Sequence, residues 1–176
     1  MCYYTANKSN ITKLEKRFNA KAKVAEFIAE AKNNGFQHPT LPVILNQNPQ
    51  TIDFLTWGLI PFWANPEQAK TIASKTLNAK SETIFEVASF KDSIISKRCI
   101  ILVDGFYEWQ HIGKDKNEFF ITLRDEEPFA MGGIWFIWKN TNGETKQTFS
   151  IITTPANPLM KEIHNTKKRM PLILPK

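Results

Sequence analysis

The chain has 176 residues and a formal net charge of +6, and 42% of its residues are hydrophobic. These values are typical of one globular domain and exclude a disordered or fibrous chain. The sequence contains no apolar run of about 18 residues and no hydrophobic signal core at its start, so we expect a cytoplasmic protein without a membrane partner.

The first third of the chain is predicted to combine helix and hairpin. Apolar residues between positions 12 and 34 recur at helical spacing, with a capping box from Thr12 to Glu15, which predicts one or two helices ending at Gly35. Residues 41–45 and 52–59 have strand character on either side of a turn, which predicts a hairpin.

The middle third is predicted to be mixed. Asn65 followed by Pro66 is a typical helix start, and residues 81–97 contain two further short helical patterns. Residues 98–110 begin with a nearly continuous apolar run, which predicts a strand buried on both faces that breaks at Asp104 and Gly105.

The last third is predicted to be rich in strands. A turn at residues 113–116 precedes a strand at 119–123, and residues 134–138 and 148–153 predict a second hairpin. Pro158 begins a short helix that reaches His164. The sequence therefore predicts an α+β fold, a single domain over residues 1–176 built on a strongly bent mixed β-sheet or barrel flanked by several short helices.

Cys2 is the most informative single position. Removal of Met1 leaves one residue with a free α-amine and a thiol, and this pair converts an aldehyde first to an imine and then to a thiazolidine ring. A frayed N-terminus without function is the alternative. Cys99, the other cysteine, is predicted to be inert core, and no Cys/His cluster indicates a zinc site.

Glu108 and His164 are candidates for proton transfer. Glu108 stands between Tyr107 and Trp109, where aromatic neighbours would desolvate the carboxylate and raise its pKa. The alternative is an exposed acid in a strand of alternating polarity. His164 ends a short helix beside a basic segment and is either a proton shuttle or a surface histidine. His38 and His111 are expected in surface loops.

The five tryptophans and the basic segments leave two interpretations open. Each tryptophan either packs in the hydrophobic core or forms a platform on which nucleobases stack while lysines contact the phosphates.

Seven ordered motifs resemble the SOS-response-associated peptidase (SRAP) family of abasic-site-processing proteins. They are MC at residues 1–2, WGLIPFW at 57–63, NAKSET at 78–83, RCIILVDGFYEWQ at 98–110, PFAMGGIW at 128–135, TTPAN at 153–157 and IHNTKKRMPLIL at 163–174.

The resemblance implies that the partner is single-stranded DNA containing an abasic site. It also implies that the protein itself is associated with the nucleoid. Cys2 would attack the ring-opened sugar aldehyde, Asn78 would position the sugar and the cysteine, Glu108 would orient or deprotonate the amine, and His164 would act as acid and base. DNA contacts are implied for Lys80, Trp63, Trp109, Lys168, Arg169 and Tyr4. The resemblance implies no metal and no cofactor, and a monomer suffices for this chemistry.

Two departures from the family pattern affect these expectations. Many relatives begin MCGR, whereas this chain begins MCYY, so Tyr3 or Tyr4 would replace an arginine contact to phosphate. Relatives also continue for some tens of residues beyond the RMP motif, which indicates a short member or a truncated C-terminus.

Two other functions use the same residues. A cysteine-dependent peptidase or autopeptidase would use Cys2 as nucleophile, His164 as base and Asn78 as the orienting residue, although no oxyanion-hole signature is present. A non-catalytic nucleic-acid-binding module would need only the basic and aromatic residues.

Overall fold

The computed structural model describes residues 1–175, which form twelve strands, four α-helices and a 3-10 turn at Gly35–Gln37. The helices are α1 (Ile11–Phe18), α2 (Pro66–Lys75), α3 (Lys91–Ser96) and α4 (Pro158–Ile163). The strands are β1 (Tyr4–Asn7), β2 (Lys21–Ala22), β3 (Glu30–Asn34), β4 (Thr40–Leu45), β5 (Thr51–Trp57), β6 (Asn78–Lys80), β7 (Arg98–Val103), β8 (Gly105–Ile112), β9 (Asp115–Ile121), β10 (Phe129–Lys139), β11 (Thr145–Pro155) and β12 (Arg169–Pro171).

Five strands close into a mixed barrel in the order β5, β4, β7, β10 and β11. Four of the pairings are antiparallel, and the ring closes because β11 runs parallel to β5, with Phe149 opposite Trp57. The rings of these two residues stack in the core at 6.2 Å. The predicted α+β class and bent barrel are thus confirmed.

A second sheet, in the order β3, β1, β8 and β9, continues from the barrel at Asp104. Asp104 is the single residue between β7 and β8, and its carboxylate accepts hydrogen bonds from the backbone N–H groups of Lys8 and Ser9 at 2.6 and 2.9 Å. The break expected at Asp104 is confirmed, and it transfers the chain from one sheet to the other. Strand β1 lies between β3 and β8, so the start of the chain is central.

The helical prediction for residues 12–34 is correct only for the first part. Asn10, not Thr12, caps α1, and Asn19 ends it in the left-handed conformation at φ 50°. Residues 30–34 form β3 because they pair with β1, and Gly35 begins the 3-10 turn. Tertiary pairing overrides the local helical spacing here.

Residues 81–97 contain one helix where two were predicted, because residues 81–90 form turns before α3. Those turns place Ile84 and Phe90 in an apolar cluster with Leu59 and Ile134, so their apolar spacing reflects burial and not a helix.

The two hairpins, the start of α2 at Asn65 and the final helix α4 agree with the predictions. Two three-residue strands were not predicted: β6 pairs parallel to β11, and β12 pairs antiparallel to it. None of the helices in residues 1–175 is long and apolar enough to cross a membrane.

Candidate active site

The N-terminal segment is anchored in the fold. Cys2 is completely buried in the main core, and its Sγ lies 3.7 Å from the Tyr4 carbonyl oxygen. The N–H of Gly35 donates to the Tyr3 carbonyl at 2.8 Å, and β1 follows directly. Because β1 is paired on both sides, Cys2 occupies one defined position, unlike the frayed terminus that its position in the sequence allows.

Side chains from three separate elements meet at the chain start. Asn78 of β6 donates from Nδ2 to the Cys2 carbonyl oxygen at 2.8 Å. Oε1 of Glu108, in β8, lies 3.4 Å from the Met1 α-nitrogen, and Nε2 of His164, after α4, lies 3.0 Å from it. The fold therefore brings all four candidate catalytic residues together.

The orientation of His164 is set by a backbone group that the sequence did not indicate. Nδ1 lies 2.8 Å from the carbonyl oxygen of Arg169, at the start of β12. A carbonyl only accepts, so Nδ1 must hold the proton in this contact, which leaves Nε2 as an acceptor facing the α-amine.

Burial shifts the pKa values of these groups. Desolvation raises the pKa of Glu108 to about 7, although the nearby ammonium opposes the shift. Desolvation also lowers the pKa of the α-amine and that of His164. Burial, assisted by the Glu108 carboxylate, raises the pKa of the Cys2 thiol. The arrangement favours a neutral amine and a carboxyl that exchanges protons near neutral pH.

Two buried oxygen atoms at the site have no hydrogen-bond partner within residues 1–175: Oδ1 of Asn78 and Oε1 of Glu108. The α-ammonium is at ion-pair distance from Glu108 but does not complete a hydrogen bond. Buried acceptors are usually paired in proteins, so these two unpaired oxygen atoms are exceptional.

Two clefts open on either side of the N-terminus. The first, of about 460 Å³, is lined by Met1, Tyr3, Tyr4, Glu108, Trp109, His111, Lys116, His164, Thr166 and Lys167, and we call it the Trp109 cleft. The second, of about 350 Å³, is lined by Met1, Tyr3, Ser74, Lys75, Leu77, Asn78, Lys80, Thr83, Val87 and Phe90, and we call it the Lys80 cleft. Each contains two lysines, so each suits an anionic ligand.

The residues expected to contact DNA divide into two groups. Tyr4, Trp109 and Lys80 line these clefts, with Tyr4 packed edge-on against Trp109 at 5.0 Å. Trp63, which is 45% exposed, and the exposed Lys168 line neither of the two.

Arg169 is already engaged within the protein. Its guanidinium forms a bidentate ion pair with Glu82 at 2.7 and 2.8 Å and donates to the Thr153 carbonyl. This pairing lowers the pKa of Glu82 to about 2. A phosphate at Arg169 would therefore have to displace Glu82.

The loop prediction is wrong for His111 and only partly right for His38. His111 lies in β8, not in a loop, because β9 pairs with it, and its backbone is bonded to the Asn165 side chain at 2.7 and 3.1 Å. His38 does lie in the loop after the 3-10 turn, but it is half-buried, and its ring contacts the Trp57 carbonyl and the Ser74 hydroxyl.

The remaining cysteine and tryptophans are structural. Cys99 is buried in β7, as expected, and Trp57, Trp135 and Trp138 are all buried. Among residues 1–175, no group of three or more His, Cys, Asp or Glu side chains is placed to hold a metal ion.

Comparison with known proteins identifies the family. The family model described as SOS response associated peptidase (SRAP) matches residues 1–176. The chain is 41% identical over 150 residues to abasic site processing protein YoqW of Bacillus subtilis, covering 80% of this chain and 64% of that protein. It is 34% identical over 139 residues to abasic site processing protein HMCES of Xenopus tropicalis, covering 68% of this chain and 41% of that protein. The chain thus spans less than two thirds of the length of these relatives.

Solved structures show the same fold. A protein from Bacteroides thetaiotaomicron superposes with a TM-score of 0.94 at 38% identity, covering 99% of this chain and 78% of that one. A protein from Bordetella bronchiseptica superposes with a TM-score of 0.85 at 26% identity, covering 99% and 84%.

Proposed function

The chain belongs to the SOS response-associated peptidase family, and on that premise we propose that it processes abasic sites in single-stranded DNA by forming a covalent crosslink through Cys2. The observation that supports this most directly is the convergence of Asn78, Glu108 and His164 on the first two residues. The relatives named abasic site processing proteins support the same substrate.

Removal of Met1 is the first requirement. Consecutive Cα atoms are about 3.8 Å apart, so the new α-amine of Cys2 arises within about one residue of the position where Glu108 and His164 hold the Met1 nitrogen. The hydrogen bond from Asn78 to the Cys2 carbonyl fixes the backbone of the nucleophile. The Cys2 thiol is fully buried while Met1 is present, so capture requires that the thiol become accessible.

Capture then proceeds in two steps without a redox change. The Cys2 amine adds to C1′ of the ring-opened sugar aldehyde, and the resulting carbinolamine loses water to give an imine. Sγ attacks the imine carbon, forming a C–S bond, and the thiol proton moves to nitrogen. The product is a five-membered thiazolidine, favoured because both nucleophiles belong to one residue.

The neighbouring side chains move the protons. A carboxyl with a pKa of about 7 is divided between its two forms near neutrality, so Glu108 takes a proton from the attacking amine and remains near the sugar hydroxyl. His164, which holds no proton on Nε2 at rest, accepts the second proton of the attacking nitrogen there and passes it to the departing hydroxyl, which leaves as water. This role is reversed when the imine is hydrolysed or the crosslink opens.

The test is a denaturing gel of the Met1-free protein incubated with single-stranded DNA that contains one abasic site. We expect a heat-stable shifted band with the unmodified chain and with Cys99→Ala, but not with Cys2→Ala. Cys99 is the matched control because it is also buried but lies in β7, outside both clefts. A band that persists in Cys2→Ala would exclude the proposed chemistry.

The same experiment separates the alternatives. A peptidase using Cys2 would cleave a peptide without retaining DNA on the gel, and a simple binding module would shift DNA only under native conditions. Extending the chain before Met1 with a tag should abolish the crosslink, because the amine is then an amide. Intact-mass measurement verifies the start of the active protein.

A further inference from the structure

Tyr3 occupies a unique place relative to the two clefts. The Trp109 cleft and the Lys80 cleft share two lining residues, Met1 and Tyr3. Once Met1 is removed, Tyr3 is the residue that still lines both clefts. A strand that passes from Lys116 and Lys167 in one cleft to Lys75 and Lys80 in the other must therefore cross the Tyr3 side chain.

The ring of Tyr3 is supported from behind. It packs against Phe36 with ring centroids 4.9 Å apart and planes tilted by 35°, and the Tyr3 backbone is held by the N–H of Gly35. Its hydroxyl lies 4.0 Å from the Met1 sulfur, so Met1 is a direct neighbour of this side chain and its loss leaves space beside it. An aromatic ring held in this way loses little freedom when a base stacks on it.

Stacking is the interaction that this position can provide. Tyr3 directly follows the nucleophile, so a sugar bound covalently at Cys2 places the adjoining nucleotide within reach of the ring. Every nucleobase presents a π-face, and base-to-aromatic stacking tolerates any sequence.

We propose that Tyr3 is a specificity-determining residue of the abasic-site reaction, on which the base next to the abasic nucleotide stacks. This inference rests on the proposed function, because it assumes that the strand is captured at Cys2. The protein then favours an isolated abasic site, flanked by intact bases, over a run of base-free sugars.

The experiment compares two single-stranded oligonucleotides. Both contain one abasic site; one has normal nucleotides on each side, and the other has base-free tetrahydrofuran residues there, which offer no aldehyde. Crosslinking rates of the Met1-free protein are measured against DNA concentration, giving a half-saturating concentration and a maximal rate. We expect the half-saturating concentration to be about tenfold lower with flanking bases.

Three variants isolate the contribution of Tyr3. Tyr3→Leu should remove the difference in half-saturating concentration between the two oligonucleotides, whereas Tyr3→Phe should retain it. Tyr107→Leu is the matched control, because Tyr107 packs against Phe120 at 4.7 Å much as Tyr3 packs against Phe36, but lines neither cleft. Thermal unfolding verifies that each variant is folded.

Two results would overturn the inference: equal half-saturating concentrations for both oligonucleotides with the unmodified chain, or an equal loss on both DNAs in Tyr3→Leu. The first requires no variant, so a Tyr3→Leu protein that fails to fold leaves the inference testable. If no DNA is crosslinked at all, the proposed function fails, and equilibrium binding of both oligonucleotides to Cys2→Ala by fluorescence anisotropy tests the stacking separately.

Discussion

At the scale of single residues, burial dominates the chemistry of the site. Glu108 is only 4% exposed and has a cationic α-amine 3.4 Å away, yet its pKa rises. The cost of removing the carboxylate from water therefore exceeds its attraction to the ammonium. The same desolvation lowers the pKa of the α-amine, so both shifts favour neutral groups before substrate arrives.

The raised pKa of Glu108 predicts a particular dependence of stability on pH. Between its ordinary value near 4.5 and about 7, the folded protein keeps a proton on Glu108 that the unfolded chain releases. The contribution of Glu108 to the free energy of unfolding therefore falls as pH rises through this window, by up to about 3 kcal/mol, whereas the lowered pKa values of the α-amine and His164 act in the opposite direction. Glu108→Gln should remove the decline due to this group, so its stability should change more favourably with rising pH than that of the unmodified chain, as measured by urea unfolding between pH 4.5 and 8.

The control for this measurement is Glu67→Gln, in which the altered side chain is exposed on α2. It should leave the pH dependence of stability as it is in the unmodified chain. If Glu108→Gln shows the same pH dependence as the control, Glu108 does not retain its proton in the folded state.

At the scale of elements, short segments place the site residues. Strand β8 buries Glu108 and leaves Trp109 partly exposed, and both residues line the Trp109 cleft. Asn78 and Arg169 are placed by the pairing of β6 and β12 with β11. His164 depends on α4, a six-residue helix whose buried residues are Met160 and Ile163. A helix this short needs its cap and its packing to persist.

Two equivalent caps allow the role of α4 to be tested. Asn157 accepts from the N–H of Met160, and Asn65, at the start of α2, accepts from that of Gln68, both at 2.8 Å. Replacing either by Ala should cost about 1 kcal/mol of stability, measured by urea unfolding. The crosslinking rate should fall several-fold only in Asn157→Ala, because this cap alone supports His164. Equal rates in the two variants would contradict this role of α4.

At the scale of the whole molecule, barrel closure supports the site, and the distribution of charge determines which ligands it attracts. The parallel pairing of β5 with β11 closes the barrel, and β11 also pairs with β6 and β12, so the strand that completes the core supports two sides of the site. The net charge of +6 includes lysines in both clefts that border the N-terminus. Such a distribution attracts a polyanion before any covalent step.

Salt dependence measures this electrostatic contribution. In a Cys2→Ala background, affinity for single-stranded DNA should fall as salt concentration rises, because phosphate contacts release counterions. Lys80→Ala should reduce the slope of log affinity against log salt by about 0.7, as measured by fluorescence anisotropy. Lys146→Ala, which alters an exposed lysine of β11 outside both clefts, should not change it. An unchanged slope in Lys80→Ala would remove Lys80 from the phosphate contacts.

The sequence by itself determined the α+β class, both hairpins, the starts of α2 and α4 and the break at Asp104. These fold features depend on local signals, namely alternation, Asn-Pro caps, turn residues and the order of short segments, which can be recognised without knowing the neighbours in space. Cys2, Glu108 and His164 were indicated by their own chemistry, and Asn78 by the resemblance of the ordered motifs to the family.

Only the tertiary structure decided the rest. β3, β6 and β12 exist because distant strands supply their hydrogen bonds, and three to five residues are too few to show a period of their own. The engagement of Arg169 by Glu82, the backbone bond that orients His164 and the pKa of Glu108 likewise depend on groups far apart in the chain. Burial and pairing are properties of the folded neighbourhood, so a residue's own sequence context cannot specify them.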